Sequence, residues 1–233
     1  MKISIIIPAK NEAENIYRLI SEIPIDVFEI IVIDGNSTDA TFEIALKHPK
    51  CTKVVRQTAK GKGAALSRGF AESNGDVIIT LDADGSTNPK EISNFLIEIE
   101  NGAHLVKGSR NVFNGGSEDL TLFRNLGNIF LTRTANVLYG TKWTDLAYGF
   151  LAISKELLNE LRINHYDNNF SKNLKYGQGF EIESLICCRT AKLGYEVIEV
   201  PSFERSRWSG NSNLKSIPDG LRALFAIVVE WIR

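Results

Sequence analysis

Residues 77–89 read VIITLDADGSTNP. The first five are apolar or β-branched and suit a strand buried on both faces. Asp82 and Asp84 follow, one residue apart, and then Gly85, Ser86, Thr87, Asn88 and Pro89, all turn formers except the threonine. Two carboxylates at the mouth of a buried strand admit two readings. They shape a turn, or they hold a hard cation such as magnesium or manganese, which binds through a few carboxylates and substrate phosphates.

Outward from this stretch, strand and helix signals alternate. ISIIIP (3–8), EIIVID (29–34), KVVRQ (53–57), DVIITLD (76–82) and HLVKGSR (104–110) read as strands. Between them, Asn11 to Ile23, Thr41 to Lys47, Gly63 to Ser73 and Pro89 to Glu100 carry helical spacing or helix-start signals, with Ser37-Thr38-Asp39 as a cap. Strands joined by helices predict a mostly parallel α/β sheet with helices on both faces. Ligands of such sheets bind outside the carboxyl ends of the strands. The polar segments Pro8-Ala9-Lys10-Asn11-Glu12, Asp34-Gly35-Asn36-Ser37, Asp82-Ala83-Asp84 and Gly108-Ser109-Arg110 fall at those ends.

The second half differs. Residues 111–119 read as a polar loop, Leu122 to Tyr139 as a long helix, and TDLAYGFLAIS (144–154) leads into a strand. Residues 163–179 read as a polar, mobile surface segment. Phe180 to Leu193 is helical, YEVIEVP (195–201) is a late strand, and 204–216 is a basic loop. A terminal helix, Ile217 to Ile232, can place Ile217, Leu221, Leu224, Phe225, Val228 and Trp231 on one broad face. Such a face suits either packing on the domain or an interfacial helix lying on lipid. No internal repeat or linker appears, so one domain is expected over 1–233.

Composition narrows the classes. The chain has 233 residues, 43% hydrophobic and 24% charged, with a formal net charge of −1. No global field therefore draws it to nucleic acid. Three cysteines, Cys51, Cys187 and Cys188, make neither a disulfide framework nor a zinc pattern, and point to a reducing compartment. His48, His104 and His165 show no ligand spacing. MKISIIIPAKNE does not read as a signal peptide, and the longest apolar run, ALFAIVV (223–229), is too short to span a bilayer. A soluble or peripheral protein is expected.

Other motifs carry paired readings. KGKGAALSRG (60–69) completes neither the dinucleotide fingerprint nor a P-loop, so a Rossmann dehydrogenase or P-loop enzyme is disfavoured. Its helix start with Lys60 and Lys62 either attracts phosphate or is a glycine-shaped start with solvated lysines. Asp34 either accepts hydrogen bonds from a nucleobase or ribose, or caps a turn. Arg110, Arg124, Arg133, Arg205 and Arg207 are candidate anion ligands or surface charges. Asp145 reads as a base, a ligand orienter or a strand cap.

Taken in order, IIIPAKNEAENI, IVIDGNSTDAT, KGKGAAL, DVIITLDADGSTNP, VKGSR, TDLAYGF and EVIEVPSFERSRWSGNSNL resemble the family-2 glycosyltransferases of GT-A fold. Within that family they look most like the polyprenyl-phosphate enzymes of the dolichyl-phosphate mannose synthase type. The resemblance implies a nucleotide-sugar-binding half over 1–110, an acceptor-binding half over 111–216 and an appended helix over 217–233. It implies that Pro8, Ala9, Lys10, Asn11, Glu12, Asp34, Lys60 and Ala83 bind the nucleotide, and that Asp82 and Asp84 carry Mg2+ or Mn2+. Arg110 would sit near the sugar diphosphate. Arg124, Arg133 and Arg207 would meet acceptor or phosphate. Asn213 stands where the family usually has lysine, so one phosphate contact is either missing or supplied by Lys215.

The implied reaction is inverting transfer of a sugar from a GDP- or UDP-sugar to a polyprenyl or dolichyl phosphate. A lipid phosphate is already an anion and needs positioning rather than a base. A sugar or protein hydroxyl, the alternative acceptor, needs one, for which Asp145 is the candidate. A non-catalytic nucleotide-binding subunit of a membrane complex is the reading from a different class. The implied location is cytoplasmic, on the cytoplasmic face of a membrane or beside a membrane protein.

Overall fold

The computed structural model describes residues 1–24, 26–163 and 177–233. The expected surface segment at 163–179 lies mostly outside these residues, as does His165.

The sheet is built from strands whose alternate residues are both apolar. In β1 (Ile3–Ala9), Ile5 and Ile7 face one layer and Ile6 the other, and all three are fully buried. β2 (Glu29–Asp34) is buried along its whole length and lies parallel to β1, Ile5 opposite Ile30 and Ala9 opposite Asp34. β3 (Lys53–Arg56) continues one edge, and β4 (Val77–Thr80) pairs parallel with the other side of β1. β5 (Leu105–Ser109), β7 (Leu151–Ser154) and β8 (Val197–Pro201) complete a seven-stranded sheet of order β3-β2-β1-β4-β7-β5-β8. β6 (Gly116–Ser117) and β9 (Phe203–Glu204) form a separate two-stranded ribbon beside it.

Every ladder of the large sheet is parallel except those of β7, which runs antiparallel to β4 and β5. This reversal matters for the site. A strand running the other way begins where its neighbours end, so the lead-in residues 144–150 cross the carboxyl edge before β7 descends.

Helices cover both faces. α1 (Ile16–Glu22), α2 (Thr41–Lys47) and α4 (Ile92–Glu100) lie with Ile5, Ile7, Val32 and Phe150, and the rings of Phe95 and Phe150 stack at 4.1 Å between centroids. On the opposite face, α3 (Lys62–Glu72), α5 (Leu122–Tyr139), α6 (Lys155–Leu161), α7 (Ile182–Lys192) and α8 (Ser216–Ile232) pack against Ile6, Ile31 and Ile33.

α1 starts later than its periodicity predicts. Residues before Ile16 form a turn because Asn11 takes a left-handed backbone, φ 57°, and its Oδ1 accepts from the Thr38 N–H at 2.9 Å. α8 carries two apolar faces rather than one. Ala223, Ala226 and Ile227 are buried, whereas Ile217, Leu221, Phe225 and Trp231 are exposed. Among the described residues no helix is long and apolar enough to cross a membrane.

Candidate active site

The carboxyl ends of β1, β2, β4 and β5 open into a cavity of about 700 Å³. Its walls include Pro8, Ala9, Lys10 and Glu12 after β1, Asp82, Ala83 and Asp84 after β4, Lys60 and Lys62 at the start of α3, and Arg110 after β5. Arg124 from α5 and Arg207 from the late basic loop complete this set. Residues from separate halves of the chain therefore share one cavity.

Each aspartate of the D-x-D segment has a basic partner, and each partner holds a second acid. Lys62 Nζ lies 2.5 Å from Asp82 Oδ1 and 2.8 Å from Glu183 Oε1. Arg207 lies 2.7 Å from Asp84 Oδ2 and 2.9 Å from Glu12 Oε1. Burial alone would depress the Lys62 pKa, but Asp82 and Glu183 outweigh it and hold the ammonium charged. Burial raises the Glu12 pKa despite hydrogen bonds from Asn15 and Arg207.

The basic loop is strapped onto the same turn. Trp208 donates its backbone N–H to the Asp84 carbonyl at 3.1 Å. Its ring covers Gly85, where an added Cβ would come within 2.2 Å of Cδ2, and Gly85 has φ +81°. The Arg18 guanidinium lies over that ring, 4.0 Å from its centroid. The D-x-D turn is thus held by a loop that the chain reaches only near its end.

Arg110 is fixed more firmly. Its Nε and Nη2 bind Asp145 at 2.7 and 3.0 Å, and Nη1 binds Glu204 at 3.0 Å. Asp145 is fully buried, and Asn128 donates to its Oδ1 at 2.9 Å. Burial would raise the Asp145 pKa, but Arg110 outweighs it and holds the carboxyl below its usual range. Asp145 stands behind Arg110 and not in the cavity wall.

Five further residues singled out in the sequence lie off the cavity wall, among them Arg205, which pairs with Glu22 at 3.4 Å. Asn11 spends its side chain on Thr38, and Asp34 is buried beneath the Ser37 N–H while its neighbours Gly35 and Asn36 line the wall. Arg133 is exposed on the far side of α5. It follows Arg124 by nine residues, which on a helix is about 180° of rotation. Lys215 is exposed and off the wall, whereas Asn213 lines it.

Other cavity residues escaped the sequence reading. Glu183 sits in an unremarkable helix, and Tyr148 and Gly149 arrive through the reversed strand. The clue available was Glu183 as an acid in the first turn of a helix with an otherwise buried face.

The two carboxylates fit a divalent cation. They supply hard oxygens within the cavity, and opposite them Gly149 keeps space open, since a Cβ there would lie 3.3 Å from Asp82 Oδ2. Among the described residues no third histidine, cysteine or acid joins them in a metal-sized group, so substrate and water oxygens would complete the shell.

Comparisons with known proteins agree with this architecture. Residues 4–162 match the model of glycosyl transferase family 2. The chain is 33% identical to a dolichol-phosphate mannosyltransferase of Pyrococcus furiosus, over 99% of this chain, and spans 64% of that protein's length. It is 31% identical to a polyprenol monophosphomannose synthase of Mycolicibacterium smegmatis, over 97% of this chain and 85% of that one. Among solved structures it resembles glucosyl-3-phosphoglycerate synthase from Mycobacterium tuberculosis, with a TM-score of 0.74 and 23% identity, over 98% of this chain and 79% of that one. That enzyme has also been solved with Mn2+ and UDP-glucose. The sheet order, the D-x-D turn at its carboxyl edge and the family match lead to one conclusion: the chain belongs to glycosyl transferase family 2 and has the GT-A fold.

Proposed function

We propose that this protein transfers a sugar, with inversion, from a nucleotide-sugar donor to a polyprenyl phosphate, using a divalent cation at Asp82 and Asp84. One observation carries this reading. The polar cavity opens between two helices whose outer faces are apolar and exposed. On α5 the exposed stripe is Leu122, Leu126, Phe130 and Val137, and on α8 it is Ile217, Leu221 and Phe225. Phe123 and Arg124 of α5 and Gly220 and Ala223 of α8 reach into the cavity wall. The apolar outer faces suit a membrane surface, and Arg124, on the cavity side of α5, suits the phosphate of a lipid drawn from it. The relatives named as polyprenyl-phosphate mannosyltransferases support the same acceptor class.

Within this reading the cation, when bound, neutralises the diphosphate leaving group. Arg110, locked by Asp145 and Glu204, presents fixed positive charge to the developing anion without reorganising. Arg124, paired only loosely with Asp119 at 3.7 Å, is available to a phosphate. Arg133 lies on the exposed apolar stripe of α5, where a guanidinium suits a lipid headgroup at the membrane surface. Lys10 and Glu12 frame the nucleotide end of the cavity. The hydroxyl-acceptor alternative needs a base, and Asp145 has both oxygens engaged by Arg110 and Asn128.

The test is direct. Purified protein with Mn2+ is given radiolabelled GDP- and UDP-sugars and either a polyprenyl phosphate in detergent or a panel of hydroxyl acceptors. Label moving into the organic phase only with polyprenyl phosphate is expected. Transfer to a hydroxyl acceptor alone, or no transfer from any donor, would overturn the reading.

A further inference from the structure

Lys62 is an unusual neighbour for a metal-binding carboxylate. Its side chain is 13% exposed and is held between Asp82, at 2.5 Å, and Glu183, at 2.8 Å. The ring of Phe180 closes another side, with its centroid 5.7 Å from Nζ. A cation that uses Asp82 Oδ1 must share it with the ammonium or displace it, and one seated on Oδ2 still lies beside that charge. Displacing an enclosed ammonium into an apolar corner would be costly unless a second anion receives it.

Glu183 is built for that receipt. It is 2% exposed, and its Oε2 has no hydrogen-bond partner among the described residues. A buried carboxylate oxygen without a donor is expensive and calls for an explanation. The junction is also kept free of side chains. A Cβ on Gly149 would stand 2.7 Å from Lys62 Nζ and 3.0 Å from Glu183 Oε1. A side chain at 149 would therefore crowd both members of the pair, and the ammonium already touches Glu183. The second aspartate repeats the construction, with Arg207 spread between Asp84 and Glu12.

We propose that Lys62 is a two-seat counter-ion: it competes with the divalent cation for Asp82, and Glu183 is the second seat that takes it when the cation wins. The inference rests on the reading of Asp82 and Asp84 as cation ligands. Lys62 lowers the affinity of the bare site for metal, and Glu183 moderates that competition. Metal binding then depends more strongly on a donor diphosphate arriving with it. The effect is one of positioning, since neither residue needs to touch the reacting atoms.

The alternative is that Lys62 and Glu183 merely tie α3 to α7. The two accounts predict different signs. Mn2+ alone is titrated into the full chain and into variants, followed by electron paramagnetic resonance of the free ion, with circular dichroism to verify folding. Lys62→Met should bind Mn2+ more tightly, on the order of tenfold, because the competing charge is gone. Glu183→Gln should bind it more weakly, because Lys62 then has only Asp82. A purely structural tie would weaken binding in both, and that result, or unchanged affinity in Lys62→Met, overturns the proposal. Should Lys62→Met not fold, Lys62→Met/Glu183→Gln removes the buried charges together and should still bind Mn2+ more tightly than the natural chain. Equal or weaker binding there also overturns it. If the natural chain and its variants bind no Mn2+ even with UDP or GDP, the cation reading itself fails, and this inference fails with it.

Discussion

Arg110 and Asp145 form a two-point ion pair, Nε to Oδ2 at 2.7 Å and Nη2 to Oδ1 at 3.0 Å, with the arginine facing the cavity and the aspartate behind it. The planar guanidinium fork matches the carboxylate, so the pair fixes both the position and the tilt of the cation presented to a substrate.

Asp145→Asn should therefore lower stability by about 3 kcal/mol at pH 7, because Arg110 loses its main counter-charge while staying buried. The Asp145 pKa in the folded chain lies below the unfolded value of about 3.9. Its contribution is present above that value and is lost as pH falls through the folded one. Urea unfolding should show the gap between natural chain and variant narrowing below about pH 4. A positioning role also predicts that the residual kcat keeps the natural pH profile, whereas loss of a base would remove its acid limb.

Asp82→Asn and Asp84→Asn should each cut transfer on the order of 10³-fold, with much weaker stabilisation by donor plus Mn2+ in a thermal-shift assay. Both variants should fold, since removing either acid frees a basic partner that retains a second one, Glu183 or Glu12.

Arg124 and Arg133 should separate cleanly. Arg124→Ala should raise the KM for polyprenyl phosphate at least about tenfold with donor binding intact. Arg133→Ala should leave transfer in detergent nearly unchanged and weaken binding to anionic vesicles modestly, by about 1 kcal/mol. Flotation with vesicles and detergent kinetics give the two readouts.

Leu221→Asp with Phe225→Asp should abolish vesicle binding while leaving the melting temperature within a few degrees, because both side chains are more than half exposed. Loss of folding in this pair would show that the outer face of α8 packs against protein instead.

Gly85→Ala should displace Trp208, because the new methyl would meet the indole carbons and the residue holds a left-handed backbone. A cost of roughly 1–3 kcal/mol is expected, with weaker donor binding as the Arg207 and Trp208 contacts to the Asp84 turn loosen. Quenching of tryptophan fluorescence by acrylamide should increase.

Local pattern made much of the protein legible. The alternation in ISIIIP and EIIVID marks strands buried on both faces, because side chains of a strand alternate and both layers here are helices. Parallel strands place their loops on one edge, so the aspartates after VIITL had to stand beside the polar segments after β1, β2 and β5. The helix period also carried information against pairing Arg124 with Arg133, since nine residues turn a helix half around.

Only the folded chain decided which charges meet. Lys62 with Glu183, and Arg207 with Glu12, are joined by ion pairs between residues far apart in the sequence, and no local period encodes such a partner. The direction of β7 is likewise set by the two strands it enters between, not by the residues of LAIS. By itself the sequence determined the layers and the edge at which chemistry gathers, because burial and periodicity are properties of short segments. Tertiary structure decided that Asp145 serves Arg110 from behind, and that each aspartate of LDADG shares its counter-ion with a second acid, because long-range packing alone brings those groups within bonding distance.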